Sequence, residues 1–346
     1  MSASAQTTPQ IVHDFTHIQP FIKGYKGRLS EGLTYNKHNN TLLWVDIIAG
    51  EVHRATLHGD KHTRSYSNHE TFKIPNESIG VIHLTTDPDV VLLGGRIGIA
   101  SYRFSSGEFN YLWTFDGNPE IIASSSFENE PCQSSYKLRC NDGNIDPNGN
   151  IWQGLMFDFP YEPHHQGKLL KIDPLTGKIS VEVKDILVPN GINWSKDGKF
   201  MYWTSTRDDI IYKFPYDLQT GEINTSEKQV HIRTSPSYLN QPCEGPDGHA
   251  LTEEEHIFTA TWGGSSVAHF DQGGLLVEKF MLPALNITDV LFVEENEMFV
   301  CCANKLPEDE TLTDESLGGS VFRIVVEGGN HRGVERPYLR FRLVKS

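Results

Sequence analysis

The chain has 346 residues, 45 acidic against 30 basic side chains, a net charge of −15 and 38% hydrophobic content. This composition fits a folded globular protein and excludes a disordered or collagen-like chain. The acidic balance argues against nucleic acid or an anionic membrane surface as the main partner, because binding to phosphates depends on Lys and Arg.

Amphipathic helical periodicity is almost absent. Short runs rich in β-branched and aromatic residues stand between Gly, Asn, Asp and Pro clusters, which predicts many short strands joined by turns. The runs repeat. Each unit opens on a polar residue followed by Gly, runs into a short strand, turns, and returns as an aromatic-rich strand. EGLTYNKHNNTLLWVDI begins at Glu31, a weaker unit at Ile79, DGNIDPNGNIWQGLM at Asp142, and NGINWSKDGKFMYWTS at Asn190. DGHALTEEEHIFTATW begins at Asp247, and a second weak unit at Ile287. Repeats of roughly 40–50 residues with four strands each are the mark of a β-propeller. Six units predict an all-β, six-bladed propeller with four-stranded blades and one domain over residues 1–346, with a double β-sandwich as the alternative.

The first twenty residues are read as a loosely ordered lead-in. Long loops are expected near Glu128–Lys137 and Lys305–Gly318, the latter holding the acidic run EDETLTDE. The strand-like stretches IQPFIKGYKGRL and RPYLRFRLV are expected to complete one blade together and so close the ring. Trp44, Trp152, Trp203 and Trp262 recur at similar places and are read as packing between blades.

Five cysteines give no paired framework, and no apolar run reaches the roughly 18 residues of a membrane helix. The start of the chain lacks the basic and apolar regions of a secretory leader. Cytoplasm is the expected compartment, with a nuclear pool left open. Oligomeric state is not legible.

The unit openings carry the chemistry. Glu31-Gly32, Asp142-Gly143, Asn190-Gly191 and Asp247-Gly248 stand at matching places, each expected just before the strand that lines the axis. Single Asn-Gly or Asp-Gly pairs are ordinary hairpin turns. Each of these units has its own turn a few residues later, so four openings in register predict oxygen-bearing side chains converging at one mouth of the channel. Thr288 and Asp289 open the sixth unit and are read equally as axis-facing or as turn residues. Crowded carboxylates repel and need a proton or a cation. Oxygen donors without clustered Cys or His suit calcium, magnesium or manganese, with zinc as an alternative whose shell waters complete.

LSEGLTY, LLWVDIIAGEVHR, RCNDGNIDPNGNIWQGLM, PNGINWSKDG, GPDGHAL, TATWGGSSVAHFD and GGSVFRI, in this order and spacing from about Leu29 to Tyr338, resemble the family of regucalcin (senescence marker protein), gluconolactonase and luciferin-regenerating enzyme. The resemblance implies a six-bladed propeller with one divalent cation, calcium first, bound by Glu31, Asn190 and Asp247. It also implies that Arg139 and Asn141, with Asp142 beside them, hold a small-molecule substrate, and that the reaction is hydrolysis of a sugar lactone to an aldonic acid. Asp247 is the expected proton acceptor. Where some family members carry a sugar-contacting Glu, this chain has Phe159, with Asp158 just before it as the substitute. His165, in PHHQG, is placed at the pocket rim. The rival readings are a non-catalytic calcium-binding regulator, an esterase or organophosphate hydrolase on the same scaffold, and an interaction propeller with no site.

Overall fold

The computed structural model describes residues 11–115, 118–122, 137–159, 165–304, 317–326 and 328–339. Six small antiparallel sheets follow one another along the chain, with strands paired in sequence order. They form a six-bladed β-propeller, as the repeats predict. Blade one is Ser30–Asn36, Thr41–Asp46, Glu51–His58 and Ser65–Lys73; blade two runs from Val81–Leu84 to Glu108–Thr114. Blade three runs from Leu138–Ile145 to Ile179–Ile186, and blade four from Pro189–Trp194 to Gln229–Arg233. Blade five runs from Gly245–Leu251 to Leu276–Met281, and blade six comprises Asn286–Glu294, Glu297–Ala303 and Val321–Val325. No helix among the described residues is long and apolar enough to cross a membrane.

Burial follows the strand order within a blade. The second strands TLLWVD and IWQGLMF are buried at every position, whereas the outermost strand Ser65–Lys73 is largely exposed. The apolar second strands are sealed between neighbours and the polar outer strands face water, a burial gradient set by composition. The core is therefore six wedges, one between each adjacent pair of blades. The wedge of Trp44, Leu42, Phe299 and Val321 joins blade six to blade one and closes the ring. Trp44, Trp152 and Trp203 are buried in these wedges, as expected, while Trp262 is only half-buried.

The termini depart from the expectation that they share a blade. Ile11–Asp14, inside the segment read as loosely ordered, pairs parallel with Leu276–Met281 as a fifth strand of blade five. The chain then reaches blade six, where the Phe21 and Gly27 N–H groups donate to the Val321 and Gly319 carbonyls. The C-terminal stretch goes elsewhere. The Val334 N–H donates to Leu251 O of blade five and the Leu339 N–H to Leu84 O of blade two, each at 2.8 Å. Blades two and five are opposite in a ring of six, so residues 332–339 form a strap across the end of the bore where the innermost strands finish. A cavity of about 290 Å³ lies beside this strap, lined among others by Asn144, Asn193 and Val334. The edge of blade six is already met by the N-terminal chain, so the strap satisfies its backbone on exposed inner-strand ends instead. Most of the two expected long loops lies outside the described residues.

Candidate functional site

The opening pairs lie inside the innermost strands, not before them. In five of the six blades the first ladder carries a one-residue bulge there, between Glu31 and Thr34, Cys140 and Gly143, Asn190 and Ile192, Pro246 and His249, and Ile287 and Asp289. A bulge breaks the strand's alternation and re-aims side chains, here toward the axis. Gly32 has φ +61°, and a Cβ on Gly248 would lie 2.3 Å from Asp289 Oδ1. At these two places only glycine fits.

The arrangement brings together Glu31, Asp247 and Asp289, which are buried, and Asp142, which is partly exposed. Burial, reinforced by Asp247, Asp289 and Asp142, pushes the Glu31 carboxyl well above the usual range. Burial with Asp289 and Asp142 does the same to Asp247. Asp142 is raised mainly by burial, and Asp289 is raised to about 7, again chiefly by burial. Asp289 accepts the Leu33 and Val290 N–H groups and lies against Gly248, which places its carboxylate among the innermost strands of blades five, six and one.

Beside the carboxylates runs a hydrogen-bond chain. Arg139 is 2% exposed. Its Nη1 donates to Asn141 Oδ1 at 2.7 Å and to the Cys140 carbonyl at 2.9 Å. Asn141 Nδ2 donates to Asn190 Oδ1 at 2.7 Å, and Asn190 Nδ2 donates to Thr206 Oγ1 at 2.8 Å. Thus Asn141, not Asp142, is the third blade's partner to Asn190, one position from the predicted alignment; the bulge in blade three begins after Cys140, two residues before Asp142, whereas in blade four it begins after Asn190 itself. Glu31 and Asp247 both act on the Arg139 charge, which joins the two halves of the site.

Two predicted contacts change role. Asp158 is buried and receives the Ser78 hydroxyl at 3.0 Å on both oxygens, with Arg96 Nε at 3.2 Å and Arg139 Nε at 3.5 Å. Its lone pairs face protein groups, so it orients Arg139 instead of replacing the missing Glu. Phe159 lies under Arg139, its ring centre 5.4 Å from the guanidinium carbon. It packs with half-buried Trp262 against the wedge between blades one and two. His165 is exposed, its Nδ1 3.3 Å from the Asp185 carbonyl on the outer strand of blade three; that contact points away from the axis. One residue was missed. Arg336, on the strap, is the cation that opposes the upward shift of the Asp142 and Asp289 carboxyls, and its Nη1 reaches Thr34 Oγ1 at 3.5 Å. No local motif marks it, because it enters the bore from the far end.

The donors fit a hard divalent cation. Buried Asp247 Oδ1 has no hydrogen-bond partner, and an orphaned buried carboxylate oxygen is costly unless something positive meets it. Glu31, Asp247 and the Asn190 amide offer oxygens alone, as calcium, magnesium or manganese prefer.

The chain matches the family model described as the SMP-30/gluconolactonase/LRE-like region over residues 29–304. It is 35% identical over 332 residues to the cell growth-regulated gene 1 protein of Candida albicans, covering 89% of this chain and 93% of that one. It is 26% identical to pentonolactonase XacC of Haloferax volcanii, covering 86% and 91% of the two chains. The crystal structure of a calcium-binding protein, regucalcin, from Agrobacterium tumefaciens superposes with a TM-score of 0.76 at 22% identity, over 96% and 100% of the two chains, and shares the fold.

Proposed function

The chain belongs to the SMP-30/gluconolactonase/LRE-like family, and from that premise we propose that it hydrolyses a sugar lactone to the aldonic acid with the help of one divalent cation. The observation that carries this reading is the meeting of Glu31, Asn190 and Asp247, whose Oδ1 has no partner, with a buried guanidinium in one bore crossed at its far end by the strap. Ion storage alone does not require a buried Arg beside the acids.

Glu31, Asn190 and Asp247 would hold the cation. When bound, it supplies positive charge for a carbonyl oxygen that becomes negative and it acidifies water. Arg139, held in place by Asn141 and Asp158, presents its remaining donors to substrate oxygens. Its fork suits that task better than a point charge. Asp247 Oδ1 accepts the proton of the attacking water. The proton then passes to the ring oxygen that leaves, so the ester bond opens to acid and hydroxyl. Phe159, against Arg139, makes that part of the mouth apolar, which suits a substrate with few hydroxyls there. This reading favours lactones smaller or less hydroxylated than those that need a carboxylate at that position.

The test is proton release from a set of pentono- and hexonolactones, with phenyl acetate and a phosphotriester as controls. Activity should vanish with chelator and return with calcium, zinc, magnesium or manganese. Lactone turnover that survives in Glu31→Gln combined with Asp247→Asn would reject the reading. A higher kcat/KM on the ester or phosphotriester would move the protein to another hydrolase class.

A further inference from the structure

Blade five carries a second constellation, separate from the axis. His256 sits in the turn before Ile257–Trp262, His269 in the strand Ser266–Phe270, and His331 on the chain leading into the strap. One ring nitrogen from each lies within 4.8 Å of the others. His256 Nδ1 and His269 Nε2 are 2.8 Å apart.

The tautomer of the central ring follows from its neighbours. His269 is 2% exposed, and its Nδ1 lies 2.8 Å from Glu278 Oε1. The other Glu278 oxygen lies 2.6 Å from His13 Nε2 on the N-terminal strand. A carboxylate accepts, so the His269 proton is on Nδ1 and the Nε2 lone pair faces His256 Nδ1, with the His331 ring edge-on to His269. A carboxylate behind a histidine, fixing its tautomer and ring plane, is the outer-shell arrangement of metal-bound histidines. Phe258 stacks on His269 with centroids 4.0 Å apart and meets His331 edge-on at 5.0 Å, so two of the rings are walled in place.

We propose that His256, His269 and His331 form a binding site for a borderline transition-metal ion of the zinc class, with a fourth position open to solvent. Three imidazoles around one zinc need nitrogens about 3.3 Å apart, as follows from Zn–N bonds of about 2.0–2.1 Å in tetrahedral geometry. The His256–His269 pair, at 2.8 Å, is slightly closer than that and no pair exceeds 4.8 Å, so small rotations of the half-exposed His256 and His331 rings reach it. The site has nitrogen donors and the axis has oxygen donors, so the two prefer different ions. Its consequence is structural. The ion ties the strap to blade five, five residues before Arg336 enters the bore. The Asn296 Oδ1 contact to the His331 N–H at 2.8 Å already anchors the same backbone.

The experiment uses the full chain stripped with chelator and titrated with cobalt(II), then zinc. Cobalt in a four-coordinate imidazole site absorbs strongly in the visible, and in a six-coordinate oxygen site only weakly. The expected result is one equivalent of strongly absorbing cobalt, displaced by zinc, and kept in Glu31→Gln/Asp247→Asn. His331→Gln and, on the exposed turn, His256→Gln should each weaken binding at least about tenfold, and Glu278→Gln by about 10–100-fold. Zinc should slow proteolysis of the strap in the wild type but not in His331→Gln. Matching chelator-state circular dichroism shows which variants are folded, and either single histidine variant suffices. No strong cobalt band, a band lost in the axis double variant, or a band indifferent to both histidine variants would overturn the site. None of these readouts depends on lactone turnover.

Discussion

Asp247→Asn should act with opposite sign in the two metal states. The substitution keeps shape and removes one charge from a 4% exposed group facing Glu31, Asp142 and Asp289. In chelated protein the native Asp247 carboxyl is held protonated well above its unfolded range, chiefly by burial. Its stabilising effect is therefore complete below the unfolded pKa near 3.8 and is lost as pH rises toward the native one. Folding takes up one proton in that window, a slope of about −1.4 kcal/mol per pH unit. The asparagine variant lacks that slope, and Glu31 also loses its largest charged repeller. The chelated variant should therefore gain stability relative to wild type as pH rises through that window. With calcium the sign reverses. Removing one member of a buried ion pair costs about 3–5 kcal/mol, or roughly a 10²–10⁴-fold loss of affinity. Urea unfolding at pH 5–9 in chelator, with competitive calcium titration at one pH, reads both effects. A variant equally destabilised at every pH, with calcium affinity intact, would mean that Asp247 only packs.

Arg139→Lys should lower lactone kcat/KM about 10–100-fold, since one ammonium cannot serve Asn141 and Asp158 together. Calcium affinity, measured in parallel, should stay within about twofold. Arg336→Gln removes the cation that favours ionised Asp142 and Asp289. Asp289, at about 7 in the wild type, should titrate higher, so calcium binding should need a more alkaline pH, as isothermal titration across pH 6–9 will read. In acid, His53 and His83, held by burial at about 3 instead of 6.5, stay neutral in the fold and charge when unfolded. The unfolded chain then binds more protons, so stability should fall as pH drops from 6.5 toward 3. His83→Gln should flatten that fall, as denaturation midpoints will show.

The repeat, the blade number and the chemical class of the axis were legible because they are local. Each unit writes its own bulge glycine and its own oxygen, as in Glu31-Gly32 and Asp247-Gly248, and each aromatic second strand writes its own burial. The four described cysteines are all buried and free, in keeping with the absence of a paired framework in the sequence. Contacts between distant segments were not legible. Asp158 looked like a sugar ligand until Ser78, Arg96 and Arg139 were seen around it. The one-residue offset that gives Asn141 to Asn190 depends on where a ladder slips. Arg336 and His331 sit on a segment of no evident pattern, and only the strap's path across the ring puts one among the axial acids and the other against blade five. Short-range pattern records which groups a strand offers and which face it hides. Which offers meet is decided by ring closure, since an electrostatic or metal-binding site depends on distances of a few ångströms between residues hundreds of positions apart.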